Sequence, residues 1–140
     1  MIMISSKGRY ALRVMTYLAV NADREFVPLK EIAEAESISL KYLESIARML
    51  SKEHYIEGTS GRGGGYHLTR KPEAYKVGDI LRLTEGTLAP VSCLKDNAEP
   101  CGRAELCCTL PVWHGLSNVI TDYLDNMTLA DVAGKGRFDE

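Results

Sequence analysis

The chain has 140 residues, the size of one domain or of one domain with a helical extension, and its 45% hydrophobic content is ample for a core. Its formal net charge of −2 divides unevenly: residues 1–76 carry 12 Lys and Arg against 9 Asp and Glu, whereas residues 77–140 carry 5 against 10. No apolar run approaches the roughly 20 residues that span a bilayer, and Met1 to Ile4 is followed at once by Ser5, Ser6, Lys7 and Arg9, the wrong order for a secretory signal, so a cytoplasmic setting with no membrane contact is expected.

Residues 6–21 read as a helix, with Leu12, Met15, Leu18 and Ala19 at helical spacing and Asp23 marking the exit. A second, short helix starts near Pro28, a residue favoured in a first helical turn, and buries Leu29, Ile32 and Ala33. Ser37, Ile38 and Ser39 make a turn, with Ser39 as N-cap of a third helix over residues 40–52. The apolar face of that helix is Leu40, Leu43, Ile46, Ala47 and Leu50. Two short helices separated by a few polar residues form a helix-turn-helix. Residues 55–57 and 66–69 are short strands around a loop with four glycines, too long for a tight hairpin and shaped like a wing. The predicted class is mainly α with a small β wing, a winged helix-turn-helix.

A further helix spans residues 77–84 and ends at Gly86, a natural residue after a helix terminus. Residues 90–110 hold Pro90, Pro100, Gly102 and four cysteines with little periodicity, which makes a loop that needs an external organiser. Pro111 then opens a long helix whose stripe is Val112, Leu116, Val119, Ile120, Tyr123, Leu124 and Met127. Such a stripe must pack on something outside its own helix. Thr128 with Asp131 resembles a capping box that starts one last short turn.

The first turn of a recognition helix contacts base edges, and here it offers Ser39, Lys41, Tyr42 and Glu44. A glutamate there can accept a hydrogen bond from a cytosine amino group. Lys41 and Glu44 would also suit a merely solvated face, but the adjoining wing favours DNA. The basic excess of residues 1–76 also sits where phosphate attraction is needed. Gly61, Gly63, Gly64 and Gly65 let backbone approach phosphate closely, and Arg62 between them can enter a minor groove. No Lys-Ser/Thr pair follows the glycines, so they are not a nucleotide P-loop.

Cys93, Cys101, Cys107 and Cys108 fall within 16 consecutive positions. In a reducing compartment this clustering points to metal or redox chemistry and not to a disulfide framework. The spacing is wider than the close cysteine pairs of structural zinc sites, and thiolates also hold iron–sulfur clusters, so spacing alone leaves both open. Adjacent side chains diverge, so Cys107 and Cys108 do not easily share one metal. His54 and His67 read as structural. No nucleophile–base pair or paired acids stand out, so an enzyme is not expected.

Ser6-Lys7-Gly8-Arg9-Tyr10-Ala11-Leu12, Tyr42-Leu43-Glu44, Gly63-Gly64-Gly65-Tyr66, Val77-Gly78-Asp79-Ile80 and the triple cysteine together resemble the IscR-type winged-helix regulators, the superfamily of IscR, NsrR, RirA and CymR. The resemblance covers nearly the whole chain, and Trp113 with Asp125-Asn126-Met127-Thr128-Leu129 looks most like the IscR branch. It implies a homodimer, joined through the long C-terminal helix, that binds a palindromic operator in double-stranded DNA. It also implies a 2Fe–2S cluster on Cys93, Cys101 and Cys107. The DNA-facing set would be Lys7, Arg9, Ser39, Lys41, Tyr42, Glu44, Ser60, Arg62 and Gly63.

Two positions depart from the family pattern. The histidine that completes the cluster site in enteric members is Leu110 here, and the aspartate used by NsrR is Arg9. The fourth ligand is therefore open among Glu44, His114 and Cys108. In the wing, Ser60 stands where the family often has arginine, and Arg62 follows two residues on. The expected organisation is a DNA-binding domain over residues 1–76, a linker helix and cluster-binding loop over 77–110, a dimerisation helix and turn over 111–133, and a disordered tail over 134–140. The expected function is transcription regulation, with DNA affinity or operator preference set by the cluster. The alternative is a clusterless repressor of cysteine or sulfur metabolism, signalled by a regulatory partner protein or by thiol oxidation.

Overall fold

A computed structural model describes residues 4–59, 61, 64–94 and 108–135. Helix α1 (Ser6–Val20) begins on Ser5, whose hydroxyl accepts the Gly8 N–H at 3.1 Å, and it buries Gly8, Ala11, Val14, Met15 and Leu18. The buried face is thus centred one position away from the expected stripe. Leu12 and Ala19 are only half-buried at its edges, because a helical face about 100° wide admits Ala11 and Val14 once Met15 and Leu18 define its centre.

Helix α2 (Leu29–Glu36) starts one residue after Pro28, which occupies the cap itself, and it buries Ile32 and Ala33 while Leu29 stays half-buried. Ser37 ends α2 in the left-handed region at φ 55°, and the chain re-enters α3 (Leu40–Lys52) through Ser39. The Ser39 hydroxyl accepts the Tyr42 N–H at 3.1 Å, as its N-cap position requires. Leu43, Ile46, Ala47 and Leu50 are buried, but Leu40 is 40% exposed. A first-turn side chain points back towards the helix N-terminus, which carries Leu40 past the edge of the core.

Strand β1 (Ile56–Thr59) pairs antiparallel with β2 (Gly65–Leu68), with Ile56 opposite Leu68 and Thr59 opposite Gly65. Tyr66 also exchanges two backbone hydrogen bonds of 2.9 Å with Val27, which fastens the wing to the loop between α1 and α2. Gly65, at φ 145°, lies so close to the Val27 carbonyl that a Cβ would collide with it. After a 3-10 turn at Pro72–Ala74, Tyr75 is buried; its hydroxyl donates to the Tyr55 carbonyl at 2.7 Å and accepts the N–H of Thr69 and of Arg70. That one phenol closes the base of the wing.

Helix α4 (Val77–Glu85) runs to Gly86, whose φ is 79°. A 3-10 turn follows at Ser92–Leu94, within the segment expected to be irregular. Helix α5 (Leu110–Asp125) begins one residue before Pro111 and stops short of Met127. Helix α6 (Leu129–Lys135) carries the expected capping box: the Thr128 N–H meets the Asp131 carboxylate at 2.9 Å, and the Asp131 N–H meets the Thr128 hydroxyl at 3.2 Å. The box opens seven helical residues and not a single turn, so Gly134 and Lys135 belong to a helix and not to a tail. Residues 136–140 lie outside the described residues.

The core is formed chiefly by α1, α3 and α2, with Val27, Ile38, Ile56, Tyr75, Ile80 and Leu129 completing it. Leu129 arrives there because the Leu129 N–H donates to the Tyr75 carbonyl and the Val77 N–H to the Met127 carbonyl, each at 2.9 Å. Helix α5 behaves differently. It packs on α4 and buries none of its residues, and Val112, Val119 and Tyr123 stand 58–66% exposed. Among the described residues no helix is long and apolar enough to cross a membrane.

Candidate nucleic-acid interface and cysteine segment

The first turn of α3 is held from both ends. Ser39 caps its backbone, and the Tyr42 ring rests edge-to-face on Tyr10 of α1, with centroids 5.6 Å apart and planes at 74°. Lys41 and Glu44 project from this turn into solvent, and among the described residues neither has a hydrogen bond or ion pair. Ser39 is exposed but already uses its hydroxyl oxygen as an acceptor. Lys7 and Arg9 are exposed in the first turn of α1, where the Arg9 guanidinium donates to the Ser6 hydroxyl at 3.2 Å. The wing residues Ser60, Arg62 and Gly63 lie outside the described residues. Gly61 is described, in the left-handed region at φ 96°, and its carbonyl accepts the Gly64 N–H at 3.1 Å.

The two histidines expected to be structural sit as follows. His54 takes φ 62° just beyond α3, and His67 on β2 packs edge-on against Phe26 at 5.1 Å. The His67 Nε2 lies 3.4 Å from the Glu57 carboxylate across the wing.

Of the expected thiolates, Cys93 lies exposed in the Ser92–Leu94 turn, while Cys101 and Cys107 lie outside the described residues. Cys108 is exposed just before α5. The three candidates for a fourth ligand are on separate elements: Glu44 on α3, His114 on α5 and Cys108 ahead of it. Among the described residues no three His, Cys, Asp or Glu side chains come together as a metal site, so Cys93 and these candidates do not assemble one by themselves.

Three residues of this frame were given no role by the sequence. Tyr10 meets Tyr42 edge-to-face, the Arg13 guanidinium lies over the Tyr10 ring, and Glu85 at the end of α4 binds Ser5 at the start of α1. The Tyr10–Tyr42 and Ser5–Glu85 contacts join helices distant in sequence, and no period marks them. Two further ion pairs brace the frame. Arg82 grips Asp125 through two hydrogen bonds of 2.8 Å and thereby joins α4 to α5. The guanidinium holds the Asp125 carboxyl below the usual carboxylate range. Arg24 and the Tyr17 hydroxyl bind Glu31 and lower its pKa to about 2.

The sequence matches, over residues 4–135, the family Rrf2, described as an iron-dependent transcriptional regulator. It is similar to Protein rrf2 of Nitratidesulfovibrio vulgaris, 36% identical over 129 residues that cover 92% of this chain and 85% of that protein. It is also similar to the HTH-type transcriptional regulator IscR of Erwinia tasmaniensis, 36% identical over 92% of this chain and 77% of that one. Among solved structures it resembles CymR (YrzC), the global cysteine regulator of B. subtilis, with a TM-score of 0.80 and 34% identity over 96% of this chain and 98% of that one.

Proposed function

The chain belongs to the Rrf2 family of transcriptional regulators, and from that premise we propose that it is a homodimeric DNA-binding regulator whose operator affinity or preference is governed by a 2Fe–2S cluster. The observation that carries the DNA reading is the first turn of α3. Its Lys41 and Glu44 are exposed and unengaged among the described residues, on a helix whose backbone and Tyr42 ring are both fixed. A fixed turn presents donors and acceptors to base edges without a large ordering cost. Lys7, Arg9 and the wing residues Ser60, Arg62 and Gly63 would contact the backbone and adjoining groove. DNA-binding, linker and dimerisation segments would divide near residues 76 and 110, in a cytoplasmic protein.

The dimer reading rests on α5. Val112, Val119 and Tyr123 recur at helical spacing and are left open by the chain's own core. A second copy packed on that face buries them and, by two-fold symmetry, sets two α3 helices about 34 Å apart, one turn of duplex.

The cluster reading rests on donor chemistry. Cys93 offers an accessible sulfur on a short turn, and thiolates are the ordinary ligands of such clusters. Cys93, Cys101 and Cys107 would hold it, with the fourth ligand from Glu44, His114 or Cys108. The cluster would supply a redox- and iron-sensitive tie between the ends of the cysteine segment. Binding there would shift DNA affinity only by as much as it favours one state of the protein over another.

A second reading follows from the likeness to CymR. In it the same fold acts without a cluster and responds to a partner protein or to thiol oxidation. Visible absorbance of protein purified without oxygen separates the two. A band above the aromatic region supports the cluster, and a colourless protein with its DNA binding intact supports the alternative.

A further inference from the structure

We propose that Tyr10 is a positioning residue for sequence recognition, fixing the Tyr42 side chain through a relay that begins at the end of α2. This rests on the reading of α3 as the DNA-reading helix. The relay has four members in contact. The Arg13 guanidinium donates to the Glu36 carbonyl at 2.9 Å and lies 3.5 Å from the Glu36 carboxylate, which anchors it to the last residue of α2. The same guanidinium lies 5.6 Å from the centre of the Tyr10 ring, within reach of a cation–π attraction. Tyr10 meets Tyr42 edge-to-face at 5.6 Å, a geometry favoured by the ring quadrupoles.

Each member is half-buried or exposed and lies outside the core cluster proper. The arrangement packs against the outside of the core, where the Tyr10 and Tyr42 rings rest. It acts on one side chain of the first turn of α3 and on the angle at which α2 hands the chain over to that helix. Among the described residues neither phenol hydroxyl has a hydrogen-bond partner. The two rings are thus held through faces and edges alone, and the Tyr42 hydroxyl stays available as a donor. A Tyr42 ring free to rotate would have to be ordered on binding, and it would lose most where a correct base sequence demands one orientation.

The test uses the full chain and the duplex that it selects from a random-sequence library, compared with a scrambled duplex of equal length. Tyr10→Leu should lower the ratio of selected to scrambled affinity by about two- to tenfold, the value of one aromatic pair. Its salt dependence should not change, because every group that meets phosphate is still in place. Tyr10→Phe should keep the ratio, since the ring and not the hydroxyl does the holding. Arg13→Gln, at an exposed position that leaves the core untouched, should lower the ratio in the same direction by about twofold, and it carries the test if Tyr10→Leu does not fold. An unchanged ratio in Tyr10→Leu and Arg13→Gln, with a reduced ratio in Tyr42→Ala, would overturn the relay while leaving α3 as the reading helix. An unchanged ratio in Tyr42→Ala and Glu44→Ala together would overturn the α3 reading itself, and the relay with it.

Discussion

The Glu85 carboxylate accepts both the backbone N–H and the hydroxyl of Ser5, at 2.6 and 2.8 Å, across 80 positions of sequence. The last residue of α4 is thereby fastened to the N-cap of α1, one residue before the Gly86 from which the cysteine-bearing segment departs. Gly8 completes the joint, because a Cβ there would stand 2.6 Å from the same carboxylate. The residue that precedes the cysteine-bearing segment is thus tied to the helix that carries Lys7 and Arg9.

Ser5→Ala removes a helix cap and a charge-assisted hydrogen bond together, and should cost about 1–2 kcal/mol. Gly8→Ala should displace Glu85 and cost a similar amount. Thermal unfolding followed by circular dichroism should show Tm falling by several degrees in each. A Tm unchanged in both would mean that the joint carries no stability.

The exposed face of α5 gives a prediction about assembly. Val119 is 66% exposed in the single chain, so Val119→Glu should leave the protomer folded. In sedimentation it should be monomeric and bind DNA weakly, because a charge buried in a dimer interface lacks a partner. A variant that remains dimeric would place the interface elsewhere.

The contacts to Glu31 make stability depend on pH. The Arg24 guanidinium, then the Tyr17 hydroxyl, lowers its folded pKa from 4.5 to about 2. A carboxyl whose pKa is lower in the folded state stabilises the fold above its unfolded value, and this contribution fades as pH falls from about 4.5 towards about 2. Glu31→Gln should therefore narrow the difference in Tm between neutral and acid solution. Arg24 and Glu31 are both partly exposed, so the effect should be small and should weaken with salt. Identical pH profiles for the two proteins would show that the pair is too solvated to matter.

Electrostatic attraction to the duplex is tested by salt titration. Lys41→Ala and Arg62→Ala should each weaken binding and reduce the slope of log affinity against log salt by about 0.9 for every phosphate no longer neutralised. Unchanged affinity and slope in both would remove the first turn of α3 and the wing from the interface.

Replacement of Cys93, Cys101 or Cys107 by Ala should abolish the visible chromophore of anaerobically prepared protein, because iron left with too few thiolates loses its anchor. Cys108→Ala should keep it. Loss in Cys108→Ala with retention in Cys107→Ala would shift the ligand set by one residue. A protein that binds metal but is colourless in every form would indicate zinc.

Local chemistry was legible in the sequence because its causes lie within a few residues. Ser39 as cap of α3, Gly86 after α4, the Thr128–Asp131 box and the pair of short helices all follow from side chains that act on their own or adjacent turns. The exposed Lys41 and Glu44 follow from the same helical period that buries Leu43, Ile46 and Leu50. The tertiary structure alone decided what depends on surfaces meeting. Met15 and Leu18 are apolar whichever neighbours centre their face, and only packing drew in Ala11 and Val14 while leaving Leu12 at the edge. The Tyr10–Tyr42 contact, the Ser5–Glu85 joint and the pairing of Val27 with Tyr66 join elements distant in the chain, where no periodicity can announce a partner. For α5 the sequence supplied an apolar stripe, and the fold determined that Val112, Val119 and Tyr123 stay exposed, because α5 packs chiefly along α4.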